Sequence, residues 1–225
     1  IQLKDEKYET VCQVIEYYEE IIDDCIEEGK NEKGGASTRS AVVRLSNAVA
    51  LEPYQSDLEF LTNMGLARRQ NFENGIAQSE IHRAFYAYSI TVDLERIGID
   101  GEISIPEAER AERMKTFLDT VQFLYRDIKG RRENLTPVFV IGGRYERKNP
   151  FYENRIILEK GSICVKTLME ILESSDDIKE NTHVGLTSGI FANDSELKQT
   201  LKAGSVADVF RQLKKEVDDY YGESN

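Results

Sequence analysis

The side chains best suited to chemistry in this chain are cations set among aromatic rings, not acids paired with bases. Arg144, Arg147, Lys148 and Arg155 lie around Tyr145, Phe151 and Tyr152. Cationic groups beside flat rings can grip phosphate while the rings wedge or stack against bases. A solvated run of charge explains the same letters, and residue types alone do not separate the two. Acid–base chemistry has less to work with. Histidine occurs only at His82 and His183, so a general base or divalent site would lean on carboxylates, and no acidic pair sits in an apolar frame that would tune it. There is no nucleophile elbow, Walker loop, dinucleotide fingerprint or metalloprotease motif, and Gly142-Gly143 is too short to cradle a phosphate. Cys12, Cys25 and Cys164 share no C-x-x-C spacing, so neither a zinc knuckle nor a redox pair is indicated, and a reducing cytoplasm is the simplest setting. No catalytic residue, metal or cofactor is expected. His82 has two readings, a strand residue half-buried beside Tyr86 or a nucleic-acid contact; Tyr86 and Tyr88 are likewise either packing or stacking residues.

The elements that must position these groups form an α+β pattern. From Lys7 to Glu28 the apolar residues Val11, Val14, Ile15, Tyr18, Ile22 and Ile26 recur at helical spacing, which predicts an amphipathic helix with an acidic outer face, stopped at Gly29. A flexible glycine-rich link over 31–38 comes next, so residues 1–38 separate from a main domain over 39–225. Ser40–Leu51 reads as a strand ending in a turn at Glu52-Pro53. Tyr54–Asn74 reads as a long loop carrying Arg68 and Arg69, and Ile81–Asp93 as a central strand with large side chains on both faces. Ser104 and Glu107 have capping-box spacing, and Met114, Phe117, Val121, Leu124 and Ile128 continue a helix to Gly130. Leu135–Gly142 is a strand entering a basic hairpin over Gly143–Arg155, with Ile156–Leu158 as its return. A short helix over Val165–Leu172, a glycine-broken strand over His183–Phe191 and a C-terminal helix over Ser205–Tyr221 complete the chain. That last helix is capped by Ser205 and Asp208 and buries Val206, Val209, Phe210, Leu213, Val217 and Tyr220. The sum is an antiparallel sheet covered by helices, with no internal repeat.

Composition sets limits. The 225 residues are 40% hydrophobic and 31% charged, with a net charge of −12, a poor average for a phosphate binder. The distribution is uneven: residues 1–35 hold 11 acidic and 4 basic side chains, whereas 126–155 hold 4 acidic and 8 basic. Apolar runs such as Pro137–Ile141 fall far short of the ~20 residues of a membrane-spanning helix, so no membrane partner is expected.

Several long blocks, in order, resemble one family. R-S-A-V-V-R-L-S-N-A-V-A-L-E-P-Y-Q-S-D-L-E-F-L-T-N (39–63) and S-E-I-H-R-A-F-Y-A-Y-S-I-T-V-D-L-E-R-I-G (79–98) are followed by G-R-R-E-N-L-T-P-V-F-V-I-G-G (130–143) and K-N-P-F-Y-E-N (148–154). V-G-L-T-S-G-I-F-A-N (184–193) and V-D-D-Y-Y (217–221) complete the set. Together they are similar to the DevR-type CRISPR-associated backbone subunit of type I-B Cascade, over about residues 39–221. The start departs from that pattern, because members carry an initial core strand and a glycine-containing loop where this chain has the acidic stretch.

The resemblance implies a modified RNA-recognition-motif (ferredoxin-like) sheet whose insertions shape a hand around crRNA, with copies stacking head to tail along it. The partners implied are crRNA, further copies of the chain, other Cascade subunits and the target DNA strand read through the guide, in the cytoplasm. Within the resembling blocks, the loop next to them and the cationic segment, the RNA-contact candidates are Arg44, Arg68, Arg69, His82, Arg83, Arg144, Arg147 and Lys148. The expected role of the seven Arg and Lys residues among them is phosphate grip without base readout, as a coat for many spacers requires. Two other classes stay open, a general protein-interaction scaffold and an RNA-processing nuclease.

Overall fold

The computed structural model describes residues 40–62, 76–101, 103–128 and 130–222. The expected acidic helix, the glycine-rich link, Arg68 and Arg69 lie outside these. The chain divides into two compact units, 1–41 and 42–225. The second unit is a mixed α+β fold.

Residues 42–62 and 76–93 form the two legs of one antiparallel arm. Three ladders succeed one another outward from its root: β1 (Val43–Leu45) pairs with β6 (Ile90–Val92), β2 (Val49–Ala50) with β5 (Tyr86–Ala87), and β3 (Ser56–Thr62) with β4 (Ile76–His82). The breaks between ladders have unequal legs. Residues 46–48 face 88–89, and farther out 51–55 face 83–85. Extra residues on one leg act as bulges, which end regular pairing and re-aim side chains. Local bonds bridge both breaks: Ser46 N–H donates to Ser89 O (3.0 Å) and Leu51 N–H to Phe85 O (2.8 Å), while Ser46 Oγ accepts from Ser89 N–H (2.8 Å).

Three expectations are corrected by this arm. Ser40–Leu51 is two short strands, the stretch read as a loop from Tyr54 contains a seven-residue strand, and Ile81–Asp93 is no central strand but one leg of the arm, broken twice. The alternation of large side chains on Ile81–Asp93 reflects an exposed ribbon, not a sheet covered on both faces. None of the residues from Ser40 to Phe60 and from Ile81 to Arg96 is fully buried.

The core lies farther along. A 3₁₀ turn (Leu94–Arg96) leaves the arm and leads to β7 (Ile99–Asp100) and β8 (Ile103–Ser104), which pair with each other. The helix α1 (Glu107–Gln122) starts behind Pro106 with no side-chain cap, so Ser104 is a strand residue and not the expected N-cap. Nor does α1 reach Gly130. β9 (Tyr125–Ile128) pairs with β10 (Arg131–Asn134) around Gly130, whose φ of 73° suits glycine. Leu124 and Ile128 mimic helical spacing but sit beyond the helix end.

β11 (Phe139–Gly142) does not run into a hairpin. Gly143–Arg155 is a series of turns, and β12 (Leu158–Glu159) pairs with β13 (Ser162–Ile163) instead of returning to β11. The helices α2 (Val165–Leu172) and α3 (Asp176–Asn181) intervene before β11 finds its partner, β14 (His183–Leu186); the register runs from Phe139↔Leu186 to Gly142↔His183. After α4 (Asp194–Thr200), β15 (Gly204–Ser205) joins β14 in parallel and passes directly into α5 (Val206–Gly222). α3 and α4 are too short to show a helical period in the sequence. Gly185 is required where α5 crosses β14, since a Cβ there would stand 2.7 Å from Val209 Cγ2 and 2.8 Å from Ser205 O.

Two apolar clusters hold this part together. One gathers Ile163, Leu168, Ile178, Val184, Leu186 and Leu197 around the β11–β14 ladder. In the other, Ala111, Met114 and Leu118 of α1 meet Phe210, Val217 and Tyr221 of α5. Each fully buried large side chain contributes ~1.5–3 kcal/mol. The expected cap of α5 is present: Asp208 N–H donates to Ser205 Oγ (3.1 Å), whose hydroxyl donates to Asp208 Oδ2 (2.7 Å). That bond, with Arg211 alongside, lowers the Asp208 pKa. The buried face ends on Tyr221, not on the expected Tyr220, which is only half-buried.

Candidate nucleic-acid interface

The sequence candidates fall at two places, and Lys148 joins them. Arg44 stands on β1 opposite Thr91, exposed at the root of the arm. Two residues beyond Thr91, the Asp93 carboxylate meets the Lys148 ammonium at 3.0 Å, and Glu95 meets it at 2.8 Å. These hydrogen bonds, first to Glu95 and then to Asp93, raise the Lys148 pKa. The turn segment after β11 is thereby tied to the arm's root.

Beneath that tie lies a buried cation. Arg110, only 9% exposed, donates from Nη2 to Leu94 O (3.1 Å) and Glu95 O (2.6 Å), and its guanidinium lies 5.0 Å from the centre of the Tyr221 ring. Tyr221 OH donates to Leu94 O at 2.6 Å. The 3₁₀ turn is thus clamped from within by Arg110 and Tyr221, and from outside by Lys148.

Much of the cationic block is neutralised inside the chain. Arg126 pairs with Glu133 (2.6 Å), Arg131 with Glu59 of β3 (3.4 Å), and Arg132 forks onto Asp127 (2.9 and 3.0 Å) while covering the Tyr125 ring. Among the described residues, Arg83 and Arg147 make no ion pair, and both are exposed. Arg144 is also exposed and lies 5.7 Å above the Tyr220 ring. Its position is set by Gly143, where any Cβ would overlap the Asn181 carbonyl. Farther on, Thr182 Oγ1 gives its proton to Ile178 O (2.6 Å), so it accepts from the hydroxyls of both Tyr145 (2.8 Å) and Tyr152 (3.1 Å). Burial raises the pKa of both phenols. These two rings therefore anchor the basic turns through Thr182.

A second group of rings is on the arm. His82, at the end of β4, stacks on Tyr54 with centroids 5.0 Å apart and planes 22° apart, and stands edge-on to Tyr86 at 5.8 Å. Its Nδ1 hydrogen-bonds the Tyr86 hydroxyl, while Nε2 is buried without a partner. Phe85 fixes this group to the core, its N–H donating to Glu52 Oε2 (2.9 Å) and its ring lying 5.9 Å from buried Phe191. Tyr54 escapes a reading of the sequence because it falls in a stretch that looks like loop. The strand that begins two residues later is the signal that such a reading lacks.

Other features hold none of the candidates. A cleft of about 520 Å³ is lined by His183, Lys179, Lys202 and Gln212 among others, with the His183 Nε2 2.5 Å from Glu216. Among the described residues, no group of three or more His, Cys, Asp or Glu is placed to hold a metal ion, and no helix is long and apolar enough to cross a membrane.

Among known families, the model of the CRISPR-associated negative auto-regulator DevR/Csa2 matches residues 2–154; the match takes in the arm with its candidates and also the acidic stretch, which corrects the expectation that the start of the chain departs from the family. The resembling blocks at 184–193 and 217–221 lie beyond that span. No curated protein and no solved structure matches the chain. With more than half of its length inside that family model, the arm and Arg144, Arg147 and Lys148 included, the chain belongs to the CRISPR-associated DevR/Csa2 family.

Proposed function

We propose that the chain is a non-catalytic crRNA-binding backbone subunit of a type I-B Cascade surveillance complex, working in the cytoplasm and assembling head to tail along the guide. In this reading residues 39–225 are a modified RNA-recognition-motif domain with insertions forming a hand, and 1–38 an acidic attachment turned away from RNA. Other Cascade subunits flank the filament, and the guide presents its bases to the target DNA strand.

The observation that carries the proposal, beside family membership, is the arm. Leu45, Tyr54, Leu58 and Phe60 are each 57–67% exposed, an apolar ribbon no part of the described core covers. A ribbon of this kind calls for a ligand or neighbour. Arg44, Arg83, Arg144 and Arg147 are the proposed phosphate contacts, joined by Arg68 and Arg69 from outside the described residues. Lys148 contributes through its tie to Asp93 and Glu95. The uncovered apolar surface also favours a second reading, a protein-interaction scaffold that holds no RNA.

The test is purification without nuclease, followed by nuclease treatment and sizing of what remains. The expected result is protected RNA in regular steps of several nucleotides, with added precursor guide left whole in magnesium. Failure to retain RNA supports the scaffold. Specific cleavage of the precursor, lost in His82→Ala, would establish an enzyme.

A further inference from the structure

We infer that Tyr54 is a base-stacking residue, the outer ring of a preformed platform in which His82 and Tyr86 are positioning residues, and that its ligand is an unpaired nucleobase. The inference rests on the RNA-binding reading and adds a contact that grips bases instead of phosphate.

The geometry carries it. Ser56 pairs directly with His82, and cross-strand partners share a face of the ribbon. His82 therefore lies on the face that carries Leu58 and Phe60, and Tyr54 joins that face by stacking on His82 at 5.0 Å. One side of the Tyr54 ring is occupied by the imidazole. The residue as a whole is still 67% exposed, so the ring's other side is open to solvent.

The ring's plane is set before any ligand arrives. His82 is held by Tyr86 through Nδ1, and Tyr86 belongs to β5, next to the Phe85 that packs on Phe191. A ring fixed this way loses little freedom on stacking, and base–aromatic stacking tolerates any sequence because every base has a π-face. His82 is half-buried, with one face against Tyr54 and its unpartnered Nε2 buried, so its contribution passes through Tyr54.

Charge around the platform selects which part of the nucleotide it meets. Glu80 lies opposite Leu58 on the same face and repels phosphate there, while exposed Arg83 directly follows His82. A strand whose bases lie on the aromatic face and whose backbone passes Arg83 satisfies both. A second copy of the chain would instead need partners for Glu80 and Gln78 along the strip.

The experiment is salt-titrated binding of a short labelled polyuridine, and of the same backbone with abasic sugars, to wild type, Tyr54→Ala, Tyr54→Leu, Tyr54→Phe, His82→Ala and His82→Phe. Tyr54→Ala and Tyr54→Leu are expected to lose ~5- to 150-fold in affinity for polyuridine, with the salt slope unchanged because no charge is removed. Tyr54→Phe keeps the ring and should stay within about twofold. On the abasic strand wild type and Tyr54→Ala should bind alike, and His82→Ala should show the same pattern in weaker form, restored by His82→Phe. Equal polyuridine affinity of Tyr54→Ala and wild type overturns the platform while leaving the RNA reading intact. Loss of self-association without loss of RNA affinity also overturns it, making the strip a protein contact. If wild type binds neither strand, the RNA reading falls and the platform with it.

Discussion

Replacing Arg144, Arg147 and Lys148 together by alanine is expected to weaken binding of two unrelated guides almost equally. The slope of log affinity against log salt should shrink by up to ~0.7 for each lost contact to a single strand. Equal loss on unrelated guides is the mark of phosphate contact, which positions RNA without reading it. The three cations are not equivalent. Arg147 makes no ion pair among the described residues and Arg144 meets the face of Tyr220, whereas Lys148 is shared by Asp93 and Glu95. Comparing the Arg144/Arg147 double variant with the triple variant should therefore show most of the slope change already present in the double. Unchanged slopes and affinities would remove this segment from the site, leaving Arg44, Arg68, Arg69 and Arg83. A loss confined to one guide would indicate base readout where backbone grip is proposed.

Arg110→Met is expected to destabilise the fold by ~2–4 kcal/mol, because it removes a buried guanidinium and its charge-assisted, part-buried hydrogen bonds to two carbonyls. Both acceptors, Leu94 O and Glu95 O, belong to the 3₁₀ turn at the arm's root. The loss should thus appear twice, in the urea midpoint of the whole domain and as faster amide exchange around residues 93–97. Arg113→Ala is the matched control. Arg113 pairs with Glu109 one turn away on the same helix, with both side chains more than half exposed, and such surface pairs contribute about 0.5 kcal/mol or less. Equal destabilisation by the two variants would show that the clamp contributes nothing special.

Strong periodicity and local capping made some elements legible in the sequence. The last helix is one, because Ser205 and Asp208 mark its start and apolar residues recur along it; Val165–Leu172 is another, for the second of these reasons. The arm was not legible, since its pairing joins residues as distant as Val43 and Val92, and the bulges that break its legs have no local signature. Its exposed Leu58 and Phe60 also violate the assumption that alternating apolar residues face a core. The cationic block was legible as charge but not as availability. Only the fold could bring Glu59 to Arg131, or Asp93 and Glu95 to Lys148, and so divide cations already neutralised from those left for a ligand. Tyr54 was hidden for the same reason: its partner His82 is a neighbour across the ribbon, far away along the chain.

A coat that assembles along RNA must make a heterologous contact that repeats without closing, and counting copies tests this most directly. Native mass measurements on guide RNAs of increasing length, at saturating protein, should show the number of bound chains rising in even steps with RNA length, with intermediate occupancies sparse because binding is cooperative. A single bound chain at saturation, whatever the length of the RNA, would contradict the proposed role as a guide-coating subunit.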